Sequence, residues 1–253
     1  APLGINSVAY WLLTSLGRVV VSVTLSLSAN GVFAIGSKFG STVALATTCF
    51  TLAWQDVAFT KELKPASFYS RAVSQYAGFL MSSTAILLPA ISLAFDLLVG
   101  ASYAEAYFVI PSFLWVAIVS AVSTFIGNIF YVIKDTKTIG VSMVISCLVN
   151  IVLVLPMTIW LGCLGANLAV LVAFAVNIAI RYVLLGRKIG LSFDWRSGVL
   201  PLLLLAFCSI AYFSGSSICN ITSLLISIIC FAIMYRSRIS ALLSAVSAKL
   251  SRG

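Results

Sequence analysis

Eight long apolar segments fill nearly the whole chain, and short breaks rich in glycine, serine or charged residues separate them. Each segment is close to the ~20 residues that a helix needs to cross a bilayer. Because lipid offers the backbone no hydrogen bonds, we expect each segment to be a helix. The pattern predicts an all-α, polytopic membrane helix bundle with about eight transmembrane helices, at residues 4–27, 31–55, 73–97, 105–132, 138–161, 164–185, 198–214 and 217–235.

Composition supports lipid as the surrounding medium. Hydrophobic residues make up 62% of the 253 residues and charged residues 8%, whereas a soluble domain averages about 25% charged residues. We therefore expect one helical membrane body without a separate soluble domain. The first span begins almost at Ala1, without the basic flank and cleavage pattern of a signal peptide. We expect the chain to be the later part of a longer membrane protein.

The distribution of basic residues predicts the orientation of the helices. When the breaks are assigned alternately to the two faces of the membrane, all but two of the 15 basic residues fall on one face. By the positive-inside rule this face, and with it the C-terminus, is cytoplasmic. Arg181 is interpreted as a cytoplasmic anchor at the end of the sixth span. Because topology accounts for the net charge of +9, no nucleic-acid partner is expected.

The chain lacks the side chains on which most catalytic and metal sites depend. It contains no histidine, and none of its six cysteines forms a CxxC pair. Histidine-based triads and the usual zinc sites are therefore excluded. A glycan polymerase or ligase would also need acidic residues or a large outer loop, and the predicted outer loops are short. We expect no enzyme activity, no catalytic residue, no metal and no cofactor; a purely structural membrane subunit is a further alternative.

Arg18 and Lys38 are the two basic residues that lie inside predicted spans. The turn between their spans is predicted near Ala29, about ten residues from each, which puts both ~15 Å deep. That depth is near the middle of a ~30 Å hydrocarbon core, where a cation costs roughly 2.5–3.5 kcal/mol. An aqueous cavity or an anionic partner would offset this cost. The pair is therefore predicted to bind substrate, with both residues at one level of the membrane.

A polar stripe runs along the first span beside Arg18. Such a stripe usually faces a water-filled path or a partner helix, although serine and threonine also serve as small packing residues between membrane helices. For Asn150, in the fifth span, a cavity role and a helix-to-helix hydrogen bond are equally open. The candidate cavity-lining residues are Ser15, Ser22, Ser41 and Asn150, and the stripe itself comprises Ser7, Trp11, Thr14, Ser15, Arg18, Ser22 and Ser26.

These positions resemble the later half of bacterial polysaccharide (O-antigen) flippases, which belong to the multidrug/oligosaccharidyl-lipid/polysaccharide exporter superfamily. The resemblance covers residues 4–195. Gly17 replaces an acidic residue of the family pattern, Phe33 replaces a tyrosine, and Asp56 stands where a proline is frequent. The matching positions are Gly17-Arg18, Gly31-Val32-Phe33-Ala34-Ile35-Gly36-Ser37-Lys38, Ala53-Trp54, Gly127-Asn128-Ile129-Phe130-Tyr131, Lys134, Lys137, Asn150, Gly162, Gly165-Ala166 and Arg181.

The resemblance implies that the chain is the second lobe of a two-lobe exporter-like transporter in the bacterial cytoplasmic (inner) membrane. Such proteins flip undecaprenyl-diphosphate-linked oligosaccharide by alternating access, for O-antigen or for capsular or exopolysaccharide biosynthesis. Cationic cavity residues, here Arg18 and Lys38, would attract the diphosphate. Residues 1–190 would form the six-helix lobe, 191–235 an appended helix pair, and 236–253 a cytoplasmic amphipathic tail.

The resemblance also implies partners and leaves alternatives open. The expected partners are the lipid-linked oligosaccharide, membrane lipids, the missing N-terminal lobe, and a polysaccharide polymerase with its chain-length regulator. Transport would be coupled to a proton or sodium gradient. A multidrug/toxin cation antiporter and a lipid II flippase of the same superfamily are the alternatives. Cation transport would favour a buried carboxylate in the cavity, and none of the six acidic residues lies near the middle of a predicted span.

Overall fold

The computed structural model describes residues 2–58, 64–192 and 194–250, and within these ranges the chain is almost entirely helical and contains no strand. The predicted all-α class is confirmed. A short 3-10 helix, Ala101–Tyr103, is the one helical element of another type in these ranges. The seven α-helices are α1 Pro2–Thr24, α2 Leu27–Ala58, α3 Ala66–Leu98, α4 Ala106–Val132, α5 Thr136–Ile189, α6 Trp195–Phe213 and α7 Ser217–Leu250.

The long helix α5 is a hairpin of two antiparallel halves. Its backbone leaves helical geometry at Gly162, where φ is 60° and ψ is −139°, a conformation open to glycine but strained for other residues. Residues on either side then face each other across the hairpin: the Asn177 amide donates to Ser146, and the Arg181 guanidinium donates to Ser142. The predicted break between residues 161 and 164 therefore falls where the chain reverses.

Five of the described helical segments have the length and hydropathy of a membrane span. They are Gly4–Thr24, Ala66–Leu98, Ala106–Val132, Thr136–Ile189 and Ser217–Arg236, and α6 is a shorter apolar helix. The apolar helices support a multi-pass membrane protein. The predicted count of about eight transmembrane helices is not confirmed, although the two halves of α5 bring the number of helical segments to that figure.

The interior consists of three apolar clusters that tie the helices together. One lies between α1 and the α5 hairpin and contains Leu13, Met143 and Phe174. A second joins α1, α2, α4 and α5 around Val21, Phe33 and other residues. The third and largest is built mainly from α3, α4 and α6. Because burial comes from packing between helices, most outward-facing side chains remain apolar, as expected where lipid is the solvent.

Helix α6 is fixed to α4 by a reciprocal pair of tyrosines. The rings of Tyr107 and Tyr212 stack with centroids 4.3 Å apart. The Tyr107 hydroxyl donates to the Tyr212 carbonyl at 2.7 Å, and the Tyr212 hydroxyl donates to the Tyr107 carbonyl at 3.0 Å. The helix pair α6 and α7 also packs along α3. Helices α6 and α7 are therefore held against α3 and α4 by aromatic and polar contacts.

The predicted cytoplasmic tail is helical where the structure describes it, and its position at the membrane face stays a prediction. Helix α7 continues without a break from Ser217 to Leu250. No glycine or proline occurs between residues 235 and 250 to end it. A helix of 34 residues extends about 51 Å, so it exceeds a ~30 Å hydrocarbon core. Residues 237–250 therefore continue the helix of the last candidate span, which ends at Arg236.

Asp135 links the first turn of α5 to its last turn through a hydrogen bond and a salt bridge. It is the N-cap residue, and the Thr138 amide donates to its carboxylate at 3.2 Å. Lys188, in the last turn of α5, makes a salt bridge with the same carboxylate. Partial burial alone would raise the pKa of Asp135, but the hydrogen bonds from Lys188 and Thr138 outweigh it, and the pKa lies below its ordinary value.

Substitution of Gly165 by alanine should destabilise the hairpin strongly. A Cβ at Gly165 would lie 1.8 Å from the Met157 carbonyl oxygen, so the two halves of α5 must separate. Overpacking of this kind costs about 1–3 kcal/mol and sometimes more. The temperature of unfolding in a neutral detergent measures the effect. Gly4→Ala is the control, because its Cβ would meet no atom within 4 Å; equal unfolding temperatures for both variants would contradict the hairpin geometry.

Substitution of Asp135 by asparagine should lower stability at neutral pH only. Asparagine still caps the helix, so the change removes only the charge of a partly exposed pair, which is worth about 0.2–1 kcal/mol. A carboxylate with a lowered pKa stabilises the fold above its unfolded pKa of about 3.9, and this contribution disappears as the pH falls through the folded-state value. Thermal unfolding of Asp135→Asn and the parent at neutral pH and near pH 3 measures this. A difference of the same size at both pH values would contradict it.

Candidate functional site

The polar stripe of α1 lies on the side of the helix that faces away from the bundle. Leu13, Gly17 and Val21 are buried against neighbouring helices. Arg18 is exposed on the other side of α1. The rest of the stripe shares this outward side, with Ser7, Trp11, Thr14 and Ser26 exposed and Ser15 and Ser22 half-buried.

Helix α2 has the same arrangement. Val32, Gly36 and Gly40 face the interior, while Lys38 and Ser41 are exposed. Lys38 borders a cavity of about 500 Å³ between α2 and the connection that follows α3. The cavity is lined by Ile35, Lys38, Phe39, Thr42, Leu98, Val99, Gly100, Ser102 and Tyr103.

The turn between α1 and α2 lies earlier in the chain than predicted, so Arg18 and Lys38 are not equally far from it along their helices. Helix α1 ends at Thr24 and α2 begins at Leu27, because the Ser26 hydroxyl caps α2 by accepting from the Ala29 amide at 3.0 Å. Arg18 is therefore ~11 Å along its helix from the turn and Lys38 ~18 Å. The offset is about five residues, or ~7 Å, and Arg18 lies nearer the turn.

Close packing behind α1 and α2 fixes the direction of their polar faces. A Cβ at Gly17 would touch the Phe33 ring at 3.5 Å, and one at Gly36 would lie 2.7 Å from the Phe113 ring of α4. The rings of Phe33 and Phe113 meet edge to face with centroids 4.7 Å apart. Because glycines allow this approach, neither helix can turn its polar face inward without displacing aromatic rings.

The predicted cavity-lining serines and Asn150 occupy different environments. Ser22 donates to the Val19 carbonyl at 2.8 Å, and Ser41 donates to the Lys38 carbonyl at 2.6 Å. Ser15 is half-buried on the same stripe as Ser22. Asn150 is fully buried, and its amide donates to the Leu13 carbonyl at 3.1 Å. Asn150 therefore makes the helix-to-helix hydrogen bond, one of the two interpretations that the sequence left open.

Arg181 is not a cytoplasmic anchor, and this interpretation is corrected by the structure. The side chain is only 1% exposed and lies between the α5 hairpin and α4. Its Nε donates to the Ser142 hydroxyl at 2.9 Å, and its Nη1 donates to the Ser123 carbonyl at 2.7 Å. Its Nη2 donates to the Ile139 carbonyl at 3.3 Å. An anchor would reach water, whereas this guanidinium is held by neutral acceptors inside the protein.

Asn177 extends the Arg181 contacts into a buried polar network. The Ser123 hydroxyl donates to the Asn177 carbonyl oxygen at 2.8 Å, and the Asn177 amide donates to the Ser146 hydroxyl at 3.0 Å. Ser146 in turn donates to the Ser142 carbonyl at 2.9 Å. All these residues are buried. The network links α4 to both halves of α5, so its members specify how the hairpin sits against α4.

A half-open cavity of about 360 Å³ lies beside the Arg181 network, between α1, α4 and α5. Gly127 provides the room, since a Cβ there would lie 2.8 Å from Nη1 of Arg181. Polar residues supply much of the wall. The lining residues are Asn6, Ser7, Tyr10, Thr124, Gly127, Asn128, Tyr131, Ile139, Met143 and Arg181.

The acidic residues that the structure describes lie at the ends of helices. Asp96 is near the end of α3, Glu105 immediately precedes α4, Asp135 precedes α5 and Asp194 precedes α6. Asp56 and Glu62, the remaining acids, fall where side chains are not described. In the described part of the chain, Arg18, Lys38 and Arg181 therefore have no carboxylate at salt-bridge distance.

Sequence reasoning missed the Arg181 cavity although a signal was present. Asn177 and Arg181 are one helical turn apart, and so are Ser142 and Ser146. Residues four apart lie on one face of a helix, so two apolar spans each carried a polar face. The predicted break between these spans would have brought the two faces together across a hairpin. Asn128 also lay within a motif that was noted only for its resemblance.

The fold is shared with a known transporter. The chain is similar to the crystal structure of a mutant of the Vibrio cholerae MATE transporter VcmN, with a TM-score of 0.53 and 19% sequence identity. The match covers 84% of this chain and 52% of that chain. The chain therefore spans about half the length of that transporter and has the fold of that half.

Two other comparisons give no match. No protein-family model matches the chain, and no curated protein matches it. The expected exporter-like fold is therefore supported by the structural likeness to the MATE transporter alone.

Proposed function

We propose that the chain is one lobe of a two-lobe membrane transporter of the exporter superfamily, and that it flips undecaprenyl-diphosphate-linked oligosaccharide across the inner membrane. The transported lipid would serve O-antigen or capsular or exopolysaccharide biosynthesis. The polar, cationic faces of α1 and α2 form the cavity wall in this proposal. Arg18 and Lys38 bind the diphosphate, and Ser15, Ser22 and Ser41 line the path.

The observation that carries the proposal is that α1 and α2 expose cations well inside apolar helices, whereas other exposed basic residues such as Arg71 and Lys137 lie near helix ends. Elsewhere the exposed side chains include Leu97, Trp160 and Ile218, which suit acyl chains. Arg18 and Lys38 do not suit a surface covered by acyl chains, because exposing a charge to hydrocarbon costs free energy. A second lobe enclosing an aqueous cavity would offset this cost. The match covers 52% of the MATE transporter chain. The other half of that transporter is long enough to form such a lobe.

The sign of the charges favours an anionic substrate. The described acids lie at helix ends, so a cation in the cavity would meet Arg18 and Lys38 without a compensating carboxylate. Guanidinium and ammonium groups bind phosphate oxygens through charge-assisted hydrogen bonds. The axial offset of ~7 Å between the two residues is comparable with the reach of their long side chains. We propose that both groups approach one diphosphate.

The alternative is a multidrug/toxin cation antiporter, and the fold comparison favours it equally because VcmN is a MATE transporter. A lipid II flippase would share the anionic chemistry of the first proposal. A carboxylate would be expected in the cavity of an antiporter; α1 contains none, and Asp56, the one acidic residue of α2, lies in its last turn. Coupling to a proton or sodium gradient is expected for all three.

Replacing Arg18 and Lys38 together by glutamine should abolish transport of the lipid-linked oligosaccharide. Each charged hydrogen bond contributes about 1.5–3 kcal/mol, so the double variant of the full-length protein should lose more than about 100-fold in activity. Surface polymer on complemented cells measures transport, and membrane fractionation measures the amount of protein. The matched control replaces Arg71 and Lys137, two exposed basic residues at helix ends, by glutamine.

The outcomes separate the candidates. Normal surface polymer in the Arg18/Lys38 variant, at normal protein level, would refute the proposed site. Wild-type protein that confers resistance to cationic dyes in a gradient-dependent manner, without an effect on polymer, would favour the antiporter. Loss of peptidoglycan precursor flipping instead of surface polymer would favour the lipid II flippase.

A further inference from the structure

Arg181 is a buried charge without a counter-charge. The side chain is 1% exposed, and within the described residues no carboxylate lies at salt-bridge distance from it. Hydrogen bonds to neutral groups replace part of its hydration but leave the charge uncompensated. Because a buried ion is costly unless it is paired, a guanidinium in this position favours the approach of an anion.

The guanidinium also retains donor capacity. Arginine carries five N–H groups, and four hydrogen bonds to protein atoms are present: one from Nε to Ser142, two from Nη1 to Ser123 and one from Nη2 to Ile139. At least one N–H is therefore available to a ligand. Arg181 lines the 360 Å³ cavity, so a ligand there can reach it.

Asn128 supplies an independent observation that the cavity is built to accept a ligand. The side chain lines the cavity and is 4% exposed, and its amide nitrogen has no hydrogen-bond partner among the described residues. An unpaired buried amide costs about 1–3 kcal/mol. Two donors therefore face one cavity, one of them charged, and both match an acceptor with several oxygens.

The surroundings of the cavity favour a negatively charged ligand. Tyr131 and Ile139 in its wall lie on either side of the α4–α5 connection. This connection carries the exposed Lys134 and Asp135, which is paired with Lys188, and the exposed Lys137 lies in the first turn of α5. Positive charge near the entrance raises the local concentration of anions. The cavity volume is ample for a phosphate group, and its lining includes Ser7, an exposed residue of α1.

We propose that the cavity between α1, α4 and α5 binds a phosphate-type oxyanion, with the Arg181 guanidinium and the Asn128 amide as its donors. The oxyanion is inorganic phosphate or the phosphodiester headgroup of an anionic lipid. Gly127 is part of the site because it keeps the space beside Nη1 open. The inference rests on this cavity alone, so it does not depend on Arg18, Lys38 or the identity of the transported substrate.

The test is the stability of the purified full-length protein with each anion source. Thermal unfolding in a neutral detergent is recorded with inorganic phosphate and with chloride at matched ionic strength. A second arm compares nanodiscs of phosphatidylglycerol with nanodiscs of phosphatidylcholine. Near-saturating ligand should raise the unfolding temperature by roughly 5–10 °C.

Asn128→Asp is the decisive variant, because it places a carboxylate in the cavity and leaves the Arg181 hydrogen bonds intact. The built-in anion should raise the unfolding temperature without ligand and remove the response to phosphate or phosphatidylglycerol. Asn128→Leu removes the amide at similar size and should weaken the response at least about tenfold in apparent affinity. Arg71→Gln, an exposed arginine away from the cavity, is the control and should respond like the parent.

Each outcome decides the proposal. A response to phosphate that Asn128→Asp abolishes supports the site and identifies free phosphate as a sufficient ligand. A response to phosphatidylglycerol alone, again lost in Asn128→Asp, supports the site and identifies the lipid headgroup. If the parent responds to neither source, or if Asn128→Asp responds like the parent, the proposal is overturned and Arg181 serves only to hold α4 against α5.

Discussion

The reversal of α5 at Gly162 lays residues 163–189 against residues 136–161, and much of the remaining structure depends on this pairing. It brings Arg181 within hydrogen-bond distance of Ser142 and Asn177 within reach of Ser146. It also creates the apolar surface against which Leu13 of α1 is buried. Because α1 is fixed on that side, its polar stripe faces outward.

The cations on the apolar helices α1, α2 and α5 lie in two contrasting environments. Arg181 is enclosed, and hydroxyls and carbonyls of α4 and α5 replace its hydration. Arg18 and Lys38 are exposed on helices whose interior faces are packed tightly by glycines and phenylalanines. An enclosed charge is stabilised by a small anion that fits its cavity. Exposed charges on an apolar surface are stabilised by contact with water. The two proposals follow from this difference.

Short-range signals in the sequence located helices better than they located tertiary partners. The break at Gly162 was predicted because glycine interrupts an apolar run, and the chain reverses there. The turn before α2 was placed too late because Ser26, a residue of the polar stripe, acts as a helix cap. Arg181 was misread because its distance from the helix end suggested an interface, while its partners lie on segments distant in sequence.

The sequence by itself determined the helical class and the approximate positions of the apolar helices, because these depend on local hydropathy and on backbone hydrogen bonds that lipid cannot replace. It also determined that α1 carries a polar stripe, since residues four apart share a face. Only the tertiary structure decided which way that stripe points, the offset of Arg18 from Lys38, and the enclosure of Arg181. Those features depend on contacts between helices, and in a chain with so few charges the pattern of residues does not distinguish one apolar face from another.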